Sequence, residues 1–275
     1  MSPNPLPITD DHIHIDPRNG RGFVAAREFM RSGGTHMFLV SKPSGSFGIV
    51  PARGEDFRPA FEETLAVAKL VSEAGLVVFP VLGVHPAEIT RLQEYMPLER
   101  VVEVMKGGIA LAARFVEEGL AVALKSGRPH YPVSPEVWEA SCDVLSFALE
   151  RAGEIGCAVQ VHAESGDCAD MLEMARAAGL SPDRLVKHYA IPTTPLVPSL
   201  IATHPGIGDL ARGGREFMME SDYMDELSRP GAVIGPRSVP RITRKLLETG
   251  QIDEKAAFGI HAGTPSRVYG VEITL

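Results

Sequence analysis

Two histidines lie one residue apart near the start of the chain, in Asp11-His12-Ile13-His14, and four further potential metal donors follow far downstream: Lys125, His162, His188 and Asp222. Alternate residues of an extended strand project from one face, so His12 and His14 can reach one cation from a single strand end. Imidazoles and a carboxylate gathered around one or two divalent ions would activate water for hydrolysis near neutral pH. Each downstream donor ends, or nearly ends, an apolar run. A lone histidine after a strand is more often a surface or satisfied core residue. The ordered set is what points to a shared site.

The elements that must position these residues follow from periodicity. Apolar runs predict strands over 8–15, 37–41, 76–84, 121–125, 158–162, 185–188, 206–210 and 217–222, the seventh being the weakest. Helical patterns cover 23–31, 61–73, 98–118, 136–152, 167–178 and 239–248. Strands alternating with helices imply parallel pairing through crossovers. Eight such units predict an α/β chain folded as a single (β/α)8 TIM-type barrel, one domain over 1–275, with its active site at the C-terminal strand ends. No composition break marks a linker. The stretch 43–59, polar and rich in Gly and Pro, predicts a loop near the barrel mouth.

Composition narrows the partners. Hydrophobic residues make up 44% and charged residues 23%, as in ordinary globular proteins. A net charge of -8 argues against extended nucleic acid and leaves a small-molecule or nucleotide-like substrate. Cys142, Cys157 and Cys168 form no CxxC pair, which fits a reducing compartment. The start, Met-Ser-Pro-Asn-Pro, does not read as a signal peptide, and the apolar run 76–84 is too short to span a bilayer. The expectation is a cytoplasmic protein without a membrane partner.

The local motifs are Asp11-His12-Ile13-His14, Gly83-Val84-His85-Pro86, Val161-His162-Ala163-Glu164, Lys187-His188-Tyr189, Glu220-Ser221-Asp222-Tyr223 and the tail Thr264-Pro265-Ser266-Arg267-Val268-Tyr269-Gly270. In this order they resemble the TatD-related hydrolases of the amidohydrolase superfamily over nearly the whole chain. The blocks Gly127-Arg128-Pro129-His130-Tyr131 and Gly235-Pro236-Arg237-Ser238-Val239-Pro240 are similar to a branch described as predicted metal-dependent hydrolases. The resemblance implies the barrel, a divalent metal and hydrolysis of a phosphoester by a metal-activated hydroxide. It implies the substrate poorly, because one fold hosts many chemistries.

One position departs from that family. Lys125, in Val122-Ala123-Leu124-Lys125-Ser126-Gly127, stands where TatD-like chains carry a glutamate. An ammonium has no lone pair for a metal and would repel one. Desolvation and nearby positive charge lower a lysine pKa, and a neutral amine can take up carbon dioxide as a carbamate. Phosphotriesterase-like members of the superfamily bridge two metals with such a lysine. A carbamylated Lys125 would favour an amidohydrolase, lactonase or phosphotriesterase-like activity. A Lys125 that stays an ammonium would leave one metal, a weaker site, or a non-catalytic barrel with a degraded site.

By that resemblance His12, His14 and Asp222 hold a buried ion, His162 and His188 hold a second, Lys125 bridges, and Asp222 also serves as general base. Four histidines favour Zn or Mn over Mg. His85, Arg128 and His130 are candidate substrate-binding residues, Arg128 and His130 for a phosphate or carboxylate. A structural role for His85 and a loop-anchoring role for Arg128 and His130 stand beside that reading. Glu164 and Glu220 are candidates to orient imidazoles. Tyr189 and Tyr223 read as packing or pocket lining. His36 should fall at the opposite rim, His204 and His261 read as surface or structural, and Trp138 as packing. Arg237, Arg241, Arg244 and Lys245 read as a solvated helix face.

Overall fold

Side chains alternate between two environments along almost every strand, and that alternation builds the molecule. On β4 (Ala123–Gly127) Leu124 packs outward while Ala123 and Lys125 turn inward; on β5 (Ala158–His162) Val159 and Val161 pack outward while Ala158, Gln160 and His162 turn inward. The structure, a computed structural model, describes residues 6–228 and 233–275. The remaining strands are β1 (Thr9–His14), β2 (His36–Val40), β3 (Val77–Gly83), β6 (Leu185–Lys187), β7 (Val197–Ile201), β8 (Met218–Glu220) and β9 (Tyr223–Met224). All pair in parallel, in the order β8-β7-β6-β5-β4-β3-β2-β1-β9. This is the predicted (β/α)8 barrel, with its eighth strand split: β8 pairs β7 and β9 pairs β1.

Helices cover the outside: α1 (Phe23–Arg31), α2 (Arg58–Glu73), α3 (Glu88–Leu92), α4 (Leu98–Glu117), α5 (Pro135–Ile155), α6 (Asp170–Ala177), α7 (Ile207–Arg212), α8 (Ser238–Glu248), α9 (Glu254–Phe258) and α10 (Thr264–Tyr269). A π turn, Gly259–Gly263, joins the last two. Local chemistry sets their ends. Ser134 accepts from Val137 N at the start of α5, Pro135 occupies the first turn, and Gly156 ends the helix at φ 73°. Among the described residues, no helix is long and apolar enough to cross a membrane.

The interior is stratified. Phe38, Val81, Ala123, Ala158, Val186 and Met218 fill its lower part, closed by Val268 and Tyr269. Above them the same alternation brings in His12, Lys125, Gln160, His188 and Glu220, each at most 2% exposed. On β1 the register with β2 slips between Asp10 and Ile13. Such a bulge re-aims side chains, and here the neighbours Asp11 and His12 both reach interior partners, Tyr269 and Gln160. Gly127, at φ 150°, ends β4 where a Cβ would lie 1.8 Å from the carbonyl oxygen of His162. The close approach of β4 and β5 at the mouth therefore requires glycine.

Two strand expectations are corrected. The segment 206–210 is not the seventh strand; it lies in α7, and the strand is Val197–Ile201. Pro198 inside that strand and Pro195 before it break the apolar signal, although Pro198 still sits in register with Lys187. The eighth strand stops at Glu220 rather than 222, because Asp222 turns at φ 44°.

Candidate metal centre

His12, His14, Lys125, His162, His188 and Asp222, spread over more than two hundred positions, meet at the barrel mouth. His12 Nε2 lies 3.2 Å from His14 Nε2, 3.3 Å from Lys125 Nζ and 3.7 Å from Asp222 Oδ1. His14 Nε2 lies 3.9 Å from the same carboxylate oxygen. The His12 and His188 rings stack at 3.9 Å, and His188 Nε2 lies 2.8 Å from His162 Nδ1. His12, His188 and Asp222 each offer a ligand atom within 4.8 Å of the others. The donors form one continuous cluster rather than two separate groups.

Hydrogen bonds behind the rings fix which nitrogens face it. Gln160 donates through its amide nitrogen to the carbonyl of Asp11 (2.8 Å) and to Tyr269 Oη (2.7 Å), so its Oε1 accepts from His12 Nδ1 at 2.8 Å. Val40 O accepts from His14 Nδ1 at 2.8 Å, and Glu220 Oε1 from His188 Nδ1 at 3.1 Å. With all three Nδ1 protons committed, the three Nε2 atoms carry lone pairs. Bare lone pairs facing each other at 3.2 Å repel, and a cation between them removes the repulsion. The donor set thus fits a divalent metal. Four imidazoles with one carboxylate suit a transition metal better than Mg.

Burial governs the charges. It holds His12, His162 and His188 well below the usual histidine range, and His14 down to about 3. Neutral imidazoles are the form that ligates. Burial lifts Asp222 to about 6 while Lys125 and Lys187 pull it down, and it lowers Lys125 to about 7 against the pull of Asp222 and Glu220. Asp222 is placed by its backbone: Asp222 N donates to His12 O at 2.9 Å, and Ser221 N to Asp10 Oδ1 at 2.9 Å. The kink between β8 and β9 that closes the barrel therefore also aims this carboxylate.

The other candidates separate by their contacts. His85 packs its ring 4.5 Å from His162 and accepts the Ala87 N–H through Nδ1, which turns Nε2–H away from that bond. His130 is exposed, with Nδ1 2.7 Å from His162 Nε2. Arg128 is 3% exposed; its guanidinium is committed to Glu164 and Asp170 and stacks 4.6 Å from Trp138. Of its two readings, these contacts support the loop anchor. Glu164 belongs to that anchor and orients no imidazole, whereas Glu220 does. Tyr189 borders the cleft and Tyr223 turns to Asp225 at 2.9 Å. His36 starts β2 at the lower rim, His204 accepts from Gly206 N, and His261 is buried between Thr9 and Thr243. Arg244 donates to Ser32 O behind α1, and Arg237 approaches Glu28.

Sequence reasoning missed Gln160, Asp10 and Lys187. Gln160 was findable, because strand parity places it inside the barrel two residues before His162. The cleft over the cluster encloses about 270 Å³ and is bordered by His162, Ser165, Lys187, His188, Tyr189 and Asp222, among others.

A family model described as TatD related DNase matches residues 9–208, taking in β1 to β7 and every donor except Asp222. The chain belongs to the TatD-related DNase family. That membership makes it one of a group of metal-dependent hydrolases. An uncharacterized protein of Methanocaldococcus jannaschii, MJ1127, is 36% identical over 282 residues, covering 98% of each chain. Among solved structures, the TatD homolog YjjV of Escherichia coli K12 has a TM-score of 0.64 at 16% identity, covering 96% of this chain and 98% of its own. A phosphotriesterase homology protein of Escherichia coli, solved with phosphate in its active site, has a TM-score of 0.59 at 11% identity, covering 97% and 99%. A phosphotriesterase-like lactonase mutant of Deinococcus radiodurans has a TM-score of 0.61 at 14% identity, covering 96% and 95%. At these identities the structures establish the fold alone.

Proposed function

We propose that this protein hydrolyses a phosphoester of a small or nucleotide-like substrate, with the metal held by His12, His14, His162, His188 and Asp222. The observation that carries the reading is the committed Nδ1 protons of His12, His14 and His188, which leave Nε2 as the ligating atom of each, with His12 Nε2 3.2 Å from His14 Nε2 and ligand atoms of His12, His188 and Asp222 within 4.8 Å of one another. When bound, the metal supplies a Lewis acid and makes water acidic enough to attack near neutral pH. The chain supplies the rest. Gln160, Val40 and Glu220 hold the imidazoles in their ligating tautomer. Asp222 accepts the proton that the attacking water loses, and the leaving oxygen regains one from Asp222 or from solvent. His85 and His130, both beside the His162 ring, bind the substrate.

A second reading rests on Lys125. Its Nζ is buried beside His12 Nε2, and burial brings it to about 7, so that a neutral amine is accessible near physiological pH. That amine can form an N–C bond to carbon dioxide and release one proton, giving a carbamate that would offer a metal the carboxylate-like ligand of the family glutamate. This form suits lactones and phosphotriesters. Stripped protein assayed on phosphodiester, lactone and amide substrates, with Zn, Mn or no added metal, tests both. Diester turnover restored by metal supports the first reading, and lactone turnover that rises with bicarbonate supports the second. Hydrolysis insensitive to a chelator overturns both.

A further inference from the structure

Among the described residues, four lysine or arginine side chains are almost wholly buried: Lys42, Lys125, Arg128 and Lys187, each at most 4% exposed. Two are neutralised where they stand. Lys42 Nζ lies 2.7 Å from Asp16 Oδ2, and Arg128 is held by Glu164 and Asp170. Lys125 belongs to the metal cluster. Lys187 fits neither case. Its Nζ donates to two backbone carbonyls, Ala163 O at 3.3 Å and His188 O at 2.9 Å, and no carboxylate oxygen lies within 4.0 Å among the described residues. An ammonium has three N–H donors, so one is uncommitted. Glu220, Glu164 and Asp222 act on it only from beyond 4.0 Å, and a buried cation without a contacting counter-charge is unfavourable unless another group supplies one.

Its position says what supplies it. Lys187 ends β6, and the two carbonyls that hold it cap β5 and follow β6, so the ammonium is fixed to the barrel rim rather than to a mobile loop. It borders the same 270 Å³ cleft as His162, His188 and Asp222, with the side chain of Ser165 on that wall. A group that occupies the cleft beside the metal donors shares it with a fixed point charge. Lysine suits a single phosphate oxygen, which it binds as a point charge without the planar fork of arginine.

We infer that Lys187 binds a non-reacting anionic oxygen of the substrate and so selects phosphoester anions over neutral lactones, amides and triesters. This rests on the hydrolase reading above and deepens it to a substrate class. Lys187 neither attacks nor transfers a proton; it orients the ester and offsets its charge. Truncating a charge-assisted hydrogen bond of this kind lowers affinity about tenfold or more.

The test compares wild type, Lys187→Met and Lys187→Arg as metal-loaded proteins. KM and kcat are read on bis(p-nitrophenyl) phosphate and on neutral p-nitrophenyl acetate, and the Kd of inorganic phosphate by calorimetry. In Lys187→Met the diester KM and the phosphate Kd should both rise about tenfold or more. The kcat/KM of the diester should fall about tenfold more than that of the acetate, and Lys187→Arg should recover part of the phosphate affinity. Equal losses on both substrates, or an unchanged phosphate Kd, overturn the proposal. Should Lys187→Met not fold, crystals of the wild type grown in phosphate decide it: an oxygen within hydrogen-bonding distance of Nζ supports the site, and phosphate bound elsewhere or nowhere refutes it. The phosphate measurements need no turnover. Phosphate binding at Lys187 in a protein that cleaves no ester would sink the hydrolase reading and leave the anion site standing.

Discussion

Replacing Gln160 by leucine removes the residue that ties the metal cluster to the barrel interior. The change keeps volume and deletes three buried hydrogen bonds: to His12 Nδ1 (2.8 Å), Asp11 O (2.8 Å) and Tyr269 Oη (2.7 Å). Tyr269 keeps a second partner in Asp11 Oδ2 at 3.3 Å. The Asp11 carbonyl and the His12 N–H lose the bond that Gln160 made, in a region that is at most 1% exposed at each residue. Each stranded group costs about 1–3 kcal/mol, so the metal-free protein should lose about 2–6 kcal/mol. For a chain of this size that lowers Tm by roughly 5–20 °C. Freed from its acceptor, His12 can also place its proton on Nε2, and metal affinity should fall about 10–100-fold. Urea unfolding of stripped protein reads the first effect, and calorimetric titration with Zn or Mn the second. A loss under about 1 kcal/mol together with unchanged metal affinity would refute the argument that Gln160 fixes the His12 tautomer.

Three further outcomes are expected. Arg128→Met removes the partner of two partly exposed carboxylates, Glu164 and Asp170, and unstacks Trp138, so it should cost about 1–2 kcal/mol while leaving KM for a phosphodiester unchanged; a raised KM at unchanged Tm would restore the anion-clamp role. Burial holds His261 down at about 4, against 6.5 when unfolded, so only the unfolded chain takes up that proton between these values. Its share of stability is intact above pH 6.5 and falls by about 3 kcal/mol in total as pH drops to 4, and His261→Gln should show a correspondingly shallower pH slope in urea melts. Zn or Mn at a hundredfold excess over Kd should stabilise the stripped protein by about 2.7 kcal/mol in a thermal scan, and Mg by clearly less.

Much of this architecture was readable from the chain because barrels write themselves in a repeating code. Apolar runs ended by donors located β1, β4, β5 and β6, and with them His12, His14, Lys125, His162 and His188. The code failed where other constraints intruded. Pro198 hid β7, and the Gly-Ile-Gly pattern of the following helix took its place. Asp222 was found, but not the broken strand that aims it. The supporting layer was harder to see: strand parity puts Gln160 inside the barrel, but its bonds to His12, Asp11 and Tyr269, and those of Asp10 and Lys187, exist only in the tertiary fold. Arg128 carries two readings in the sequence, an anion site and a loop anchor, and only the fold shows Glu164 and Asp170 against its guanidinium.

The left-handed backbone at Asp222, φ 44°, narrows what inheritance can do with that position. Asparagine and glycine accept such a torsion readily but bring no carboxylate; glutamate brings the carboxylate, with a side chain less at home in that conformation. Shape and charge are thus demanded of one codon at once, and aspartate is the residue that meets both. A chain that kept the torsion but dropped the acid would keep the barrel and lose the carboxylate that we propose as metal ligand and proton acceptor.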